Sequence, residues 1–193
     1  MIALGGCATS PPQDPENLCA IFTEHRDWYF ASIEAQQRWK TSTPVAMAIL
    51  YQESSFEHDA RPARTRLLGF IPWKRPSSAY GYAQALDGTW AKYQRDTGQK
   101  WRKRTRFADA VDFVHWYMRQ AINTNGVKRQ DARSLYLNYH EGLGGFKRKT
   151  YTKKPWLGTT AKRVSARAQR YARQYAGCRQ ALKPSFWERL WSE

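Results

Sequence analysis

The stretch TPVAMAILYQESSF, residues 43–56, constrains the fold more than any other part of the chain. Pro44 suits the first turn of a helix, and Ser42 or Thr43 can cap that turn. One helical face is marked by the i, i+3, i+4, i+7 spacing of Ala46, Ile49, Leu50 and Glu53. The sequence therefore predicts a helix whose apolar face ends in an acid.

Glu53 is the residue of this helix that bears on chemistry. A carboxyl held against apolar surface is harder to ionise, so we expect its pKa to be raised. A raised pKa allows a glutamate to act as a general acid near neutral pH. The alternative interpretation is an ordinary ion pair between Glu53 and an Arg near the helix end, and periodicity alone leaves both open.

The charge balance narrows the class of partner. The 193 residues include 32 Lys and Arg against 16 Asp and Glu, a formal net charge of +16. Such a balance favours nucleic acid, anionic lipid or an acidic polymer such as a cell wall. The 9 Trp and 11 Tyr could stack on bases or sugar rings, or could build the core. No apolar run of about 18 residues occurs, so no membrane-spanning helix is predicted.

The first of three cysteines, Cys7, ends the sequence LGGC, which looks like a bacterial lipobox. In a lipobox the cysteine is lipidated after cleavage of the signal peptide. The basic and apolar regions of a signal peptide do not precede it here, so the start could lie upstream, the chain could be truncated, or the match could be chance. We expect a lipoprotein anchored through Cys7.

Cys19 and Cys178 then remain as a pair, since the cysteine spacing fits no zinc site and only 4 His occur. Their disulfide would join the first helix to the last and stabilise the fold by roughly 4–5 kcal/mol. A disulfide implies an oxidising compartment. The alternative is two free thiols in a cytosolic protein. Together with the lipobox, the pair favours the periplasm, and neither metal nor cofactor is expected.

The predicted organisation is a lipobox remnant and tether over 1–15, one catalytic domain over 16–180, and an amphipathic tail over 181–193. The domain is predicted to be all-α, with no strand pairs and with helices over about 16–39, 43–56, 87–98, 109–123, 131–142 and 160–176. A basic loop with an apolar tip, broken by prolines, is expected over 59–79. Gly142 is expected to allow a sharp turn.

Three separated motifs resemble those of the soluble-lytic-transglycosylase-like (SLT) domain family, related to goose-type lysozyme. Residues 53–56, ESSF, resemble its catalytic Glu-Ser motif, and residues 81–84, GYAQ, resemble its Gly-Leu-Met-Gln motif. Residues 138–144, NYHEGLG, resemble its Ala-Tyr-Asn-x-Gly-x-Gly motif. The resemblance covers about residues 40–150. It implies a lysozyme-like helical domain with a substrate groove, to which this chain adds the long basic loop and an extra C-terminal helix.

The resemblance implies a peptidoglycan lytic transglycosylase that cleaves the β-1,4 bond between N-acetylmuramic acid and N-acetylglucosamine. Glu53 would protonate the glycosidic oxygen and then take a proton from the sugar's 6-hydroxyl, leaving a 1,6-anhydromuramyl end. This route needs one carboxyl, whereas ordinary glycosidases use two. Further carboxyls near the motifs, each more typical of a surface charge or a supporting partner, are Glu57, Asp59 and Glu141.

Carried over residue by residue, the motifs assign supporting roles. Ser54 would orient the acid or hydrogen-bond near it, and Tyr139 would hydrogen-bond Glu53 and fix its rotamer. The N-acetyl group would be held by Gln84 and by the backbone of Gly81, Tyr82 and Ala83, which would line the groove. Further substrate contacts would come from His140 and Glu141. The alternatives are a helix-terminal serine, a turn glutamine and a core tyrosine.

Two departures from the family pattern leave the product open. His140 stands where the family has Asn and adds a titrating group, and the segment between residues 53 and 84 is longer than usual. A lysozyme-type hydrolase of the same bond, a non-catalytic basic wall-binding protein and a nucleic-acid-binding helical protein remain alternatives. Our prediction is a monomer on peptidoglycan strands in the periplasm, lipid-anchored at the outer membrane of a Gram-negative bacterium, without a nucleic-acid partner.

Overall fold

A computed structural model describes residues 10–64, 66–67, 71–72 and 76–183. In these ranges the chain forms seven α-helices: α1 (Leu18–Glu24), α2 (Arg26–Trp39), α3 (Thr43–Ser54), α4 (Asp87–Thr97), α5 (Phe107–Asn125), α6 (Ala132–Lys147) and α7 (Pro155–Cys178). A 3-10 helix covers Thr150–Lys153. Two-residue strands, β1 (Arg66–Leu67) and β2 (Ile71–Pro72), pair antiparallel within the basic loop. The predicted all-α, lysozyme-like class is confirmed, and this short strand pair is the addition to it.

Helix α3 is the centre of the core. Every residue from Thr43 to Leu50 is buried, and the helix packs against α5 and α7. Pro44 lies in its first turn, as predicted. The helix ends where Ser55 adopts a left-handed conformation and its N–H donates to the Tyr51 carbonyl over 2.8 Å. This end places Glu53 in the last turn of a buried helix.

The single first helix predicted over 16–39 is wrong, because α1 and α2 are separate. The His25 N–H donates to the Ile21 carbonyl over 2.8 Å and closes α1, and His25 itself has a non-helical backbone. After this break Trp28 enters the core, where its ring stacks 3.9 Å from that of Phe107. The break lets α2 present Trp28 to α5.

The other helix boundaries follow local signals with small shifts. Asp87 was expected to cap α4 but is its first helical residue, whereas Asp131 does cap α6 by accepting from the Ser134 N–H. Helix α7 begins at Pro155, about one turn before the expected residue 160, because proline suits a first helical turn. Gly142 interrupts α6 with a φ of 75°, the sharp turn that the glycine predicted.

A disulfide joins Cys19 on α1 to Cys178 on α7, with 6.1 Å between the two Cα atoms. The predicted pairing is therefore present in the structure. Within the predicted tether, the Pro15 carbonyl accepts a hydrogen bond from Tyr171, so this end of the tether packs on α7. Cys7 and the tail beyond residue 183 lie outside the described residues.

None of the helices among the described residues combines the length and the apolar character needed to cross a membrane.

Candidate active site

Glu53 lies in the last turn of α3 with its side chain partly buried. Loss of hydration raises the pKa of this carboxyl to about 7, although a hydrogen bond from the Tyr136 hydroxyl acts in the opposite direction. Among the described residues, no cation contributes to this shift. The alternative interpretation, an ion pair between Glu53 and an Arg, is therefore not supported. The raised pKa agrees with the expectation for an acid on an apolar helical face.

The tyrosine that bonds Glu53 is not the one the motif indicated. Tyr136 provides that hydrogen bond, whereas the Tyr139 hydroxyl donates to the Ala83 carbonyl over 2.5 Å. Both tyrosines project from α6, three residues apart. Tyr139 remains close enough to Glu53 for the carboxylate to contribute, after burial, to raising the tyrosine pKa. The expected Tyr139–Glu53 bond is therefore corrected to Tyr136–Glu53.

Ser54 does not orient the acid. Its hydroxyl donates to the Leu50 carbonyl over 3.3 Å, one turn earlier in α3. This bond to the preceding turn is common for a helical serine. Ser54 is therefore a helix-terminal serine, the alternative that the sequence left open.

The GYAQ motif divides into a buried part and one residue that reaches a cavity. Gly81 has a φ of 74°, and a Cβ there would lie 2.2 Å from the Arg104 carbonyl oxygen, so only glycine fits. Tyr82 is fully buried against Trp28, and Ala83 is also fully buried. The side chains of residues 81–83 support the core and the turn, and the substrate contact expected of their backbone stays a prediction.

Gln84 is the member of this motif that lines a cavity. Its side-chain amide donates to the carbonyls of Ala60 at 2.8 Å and Gly81 at 3.0 Å, which ties the motif to the start of the basic loop. The cavity has a volume of about 210 Å³ and is lined by Gln84, Ala85, Leu86, Thr89, Phe113, Tyr117, Tyr139, His140, Glu141 and Gly142. Glu53 is not among these lining residues. It is linked to them through Tyr139, whose pKa the Glu53 carboxylate helps to raise.

A second cavity extends the first along α4 and α5. It has a volume of about 330 Å³ and shares Thr89 and Tyr117 with the first. Trp116, Lys92 and Leu143 also line it. The two cavities are therefore neighbours that share part of one wall.

Glu141 is held as a carboxylate. Loss of hydration alone would raise its pKa, but hydrogen bonds from Lys154, Thr150 and His140 outweigh that effect and lower the pKa to about 2. Lys154 Nζ lies 2.7 Å from one carboxylate oxygen, and His140 Nδ1 lies 3.0 Å from the same oxygen. Glu141 therefore positions its neighbours and has no proton to give near neutral pH.

The remaining candidate carboxyls are on the surface. Glu57 and Asp59 are exposed, and with His58 their ligand atoms lie within 4.8 Å of one another. These three are the described side chains that are grouped closely enough to hold a cation. Exposed acidic groups commonly gather in this way without one.

Sequence reasoning missed Tyr136 and the wall that α4 and α5 supply through Leu86, Thr89, Phe113 and Tyr117. A signal for Tyr136 was available, because it precedes Tyr139 by three residues and His140 by four, so all three share one helical face. The arrangement as a whole offers a carboxyl that is about half protonated near pH 7 beside a polar-aromatic depression. Such a group can give a proton to an oxygen and later take one back.

One of three comparisons with known proteins found a match. The family model described as a transglycosylase SLT domain matches residues 1–178. Searches of curated proteins and of solved structures found no match. Since the family match spans most of the chain, this protein belongs to the transglycosylase SLT domain family, a family of lytic transglycosylase type that acts on peptidoglycan.

Proposed function

We propose that the protein is a lytic transglycosylase that cleaves the β-1,4 bond between N-acetylmuramic acid and N-acetylglucosamine, with Glu53 as the single acid and base. The observation that carries this proposal is the pKa of about 7 at Glu53, set by desolvation and by the Tyr136 bond. An acid with that pKa is protonated often enough to protonate a leaving oxygen and, once ionised, can accept a proton.

The steps balance without water. The Glu53 carboxyl gives its proton to the bridging oxygen as the bond from that oxygen to C1 of the muramyl sugar breaks. The resulting carboxylate takes the proton of the same sugar's 6-hydroxyl while O6 bonds to C1. Glu53 is again protonated, and the products are an anhydromuramyl end and a free 4-hydroxyl on N-acetylglucosamine.

Other residues hold the parts in place. Tyr136 keeps the Glu53 carboxyl oriented, and Tyr139 holds the Ala83 carbonyl and so the turn that carries Gln84. Because the amide nitrogen of Gln84 donates to two backbone carbonyls, its oxygen can accept the N–H of an acetamido group. Glu141 has both oxygens bonded to protein donors, which disfavours its use as the second carboxylate of a hydrolase.

The setting of this activity is part of the proposal. The disulfide supports an oxidising compartment, and proteins of this family act on peptidoglycan in the periplasm. We place the protein there as a monomer, anchored through Cys7 to the outer membrane. The net charge of +16 supports attraction to the muramyl and stem-peptide carboxylates, and we do not expect nucleic acid to be the ligand.

Mass spectrometry of digested sacculi tests the reaction. The expected muropeptides end in 1,6-anhydromuramic acid and are one water molecule lighter than the reducing products of a hydrolase. The matched control is Glu53→Gln, which should lose at least about 10²-fold in rate while its far-UV circular dichroism and binding to sacculi persist. Reducing ends would indicate a hydrolase, and near wild-type cleavage by the variant would refute the assignment of Glu53.

A further inference from the structure

Trp156 is a large exposed aromatic residue in the first turn of α7. Its side chain is 56% exposed, although indole is among the groups that gain most from leaving water. Its position is fixed by the residues before it, since Pro155 begins the helix and Lys154 bonds the Glu141 carboxylate over 2.7 Å. The exposed indole therefore stands on an ordered backbone.

His140 connects Trp156 to the candidate active site. The two rings meet edge to face, with 5.2 Å between centroids and 78° between planes. His140 also lines the 210 Å³ cavity, and its ring lies 6.4 Å from that of Tyr136, the residue that bonds Glu53. Trp156 is thus linked to Glu53 through His140 and Tyr136.

The His140 ring is itself held in place. Its Nδ1 lies 3.0 Å from the Glu141 carboxylate, whose other oxygen accepts from Thr150. Because Glu141 carries a full negative charge and only accepts, Nδ1 of His140 donates the hydrogen bond between them. The corner formed by the two rings is pre-organised, which reduces the entropy lost when a ligand binds.

We propose that Trp156 and His140 form a sugar-binding subsite, in which the indole face stacks on a pyranose ring of the glycan strand next to the sugar at Glu53. The inference rests on the proposed function. A pyranose ring presents an apolar face of C–H groups together with hydroxyl and acetamido groups at its edge. An exposed aromatic face beside a fixed hydrogen-bonding ring matches that pattern.

The test measures binding to peptide-free glycan strands, prepared from sacculi with an amidase, in the non-cleaving Glu53→Gln background. Trp156→Ala and Trp156→Leu are expected to bind about tenfold more weakly, because an aromatic anchor is lost. Trp156→Phe should keep most of the affinity, since it retains a ring. Trp101→Ala is the matched control, because Trp101 is 68% exposed, whereas the ring of Trp156 contacts the cavity residue His140.

The same substitutions in the active protein should raise KM for peptide-free strands by a similar factor and leave kcat nearly unchanged. Thermal unfolding checks that each variant is folded, and Trp156→Leu keeps the test valid if Trp156→Ala is unstable.

Unchanged strand affinity in both variants overturns the subsite. A loss seen only with peptide-bearing strands also overturns it, because the stem peptide would then be the occupant. If the wild type makes no anhydromuramyl product, the proposed reaction fails, whereas strand binding still decides the subsite.

Discussion

The Tyr136 hydroxyl on α6 hydrogen-bonds the Glu53 carboxyl on the last turn of α3. Desolvation and this bond act on the Glu53 pKa in opposite directions, and their balance leaves it at about 7. Helices α3 and α6 both pack on α5 and α7, so the distance between acid and phenol is set by the core. The protonation of the acid is therefore tied to how these helices are packed.

Cleavage should depend on pH through Glu53. Since bond breaking needs the protonated carboxyl, kcat/KM should fall as the pH rises through about 7, by about tenfold per pH unit well above that value. The pKa of Glu53 in the folded protein lies above its ordinary value. Its contribution to the free energy of unfolding is therefore complete below pH 4.5 and is lost as the pH rises through about 7. A rate profile and urea titrations across this range check both signs. Glu53→Gln should remove this stability change, and a flat rate profile would contradict the assignment.

Tyr136→Phe and Tyr139→Phe should act differently, although both remove one hydroxyl from the same helix face. Loss of the Tyr136 bond should raise the Glu53 pKa and move the alkaline limb of kcat/KM to higher pH. Loss of the Tyr139 bond to the Ala83 carbonyl should loosen the turn that carries Gln84 and so raise KM. The pH dependence of kcat/KM should stay unchanged in this variant. Rate profiles of the two variants, measured together, check this contrast. Equal shifts would show that the two hydroxyls share one role.

Glu141→Gln should lower the free energy of unfolding at neutral pH by about 2 kcal/mol, because Lys154 and Thr150 lose a charged acceptor. The pKa of Glu141 is lowered from its ordinary value of 4.5 to about 2. The contribution of this carboxylate to the free energy of unfolding is therefore present above pH 4.5 and is lost as the pH falls through about 2. The difference between wild type and variant should shrink over that range in urea titrations. Glu34→Gln is the control, since its exposed pair with Arg38 should contribute less than about 0.5 kcal/mol.

Gly81→Ala should destabilise the protein by more than about 2 kcal/mol, since its Cβ would lie 2.2 Å from the Arg104 carbonyl oxygen. Gly98 provides the comparison, because its φ of 68° is similar but nothing lies within 4 Å of the added carbon. Gly98→Ala should cost about 1 kcal/mol from backbone strain alone. Thermal and urea unfolding measure the two costs. Equal costs would show that the contact at Gly81 relaxes freely.

The sequence predicted best where one local rule governs the outcome. Pro44 and the apolar run after it predicted α3, Gly142 predicted the turn in α6, and the apolar face predicted a raised pKa at Glu53. Residues within a few positions determine the first two results. For Glu53 the local apolar face indicated the direction of the pKa shift, and the packing of the helices determines its size. The Cys19–Cys178 pair could be inferred because only one partner remained for each after Cys7 was set aside.

The details that failed depend on residues far apart in the chain. Whether Tyr136 or Tyr139 reaches Glu53 depends on the rotation of α6 against α3, which no pattern within α6 reveals. The position of the Tyr82 ring between Trp28 and Phe107 also depends on the fold, because neither residue is near Tyr82 in the chain. The break at His25 likewise depends on the position of α5, because it allows Trp28 to stack on Phe107.

The bond between Cys19 and Cys178, which are 159 positions apart, closes nearly the whole domain into a covalent ring. A protease that cuts the backbone once anywhere inside this ring, including the basic loop, produces two fragments that stay attached to each other. Release then requires a second cut or a reductant, and an electrophoresis gel run without reducing agent would show one band where a reducing gel shows two. This closure therefore keeps a chain that has been cut once in one covalent piece.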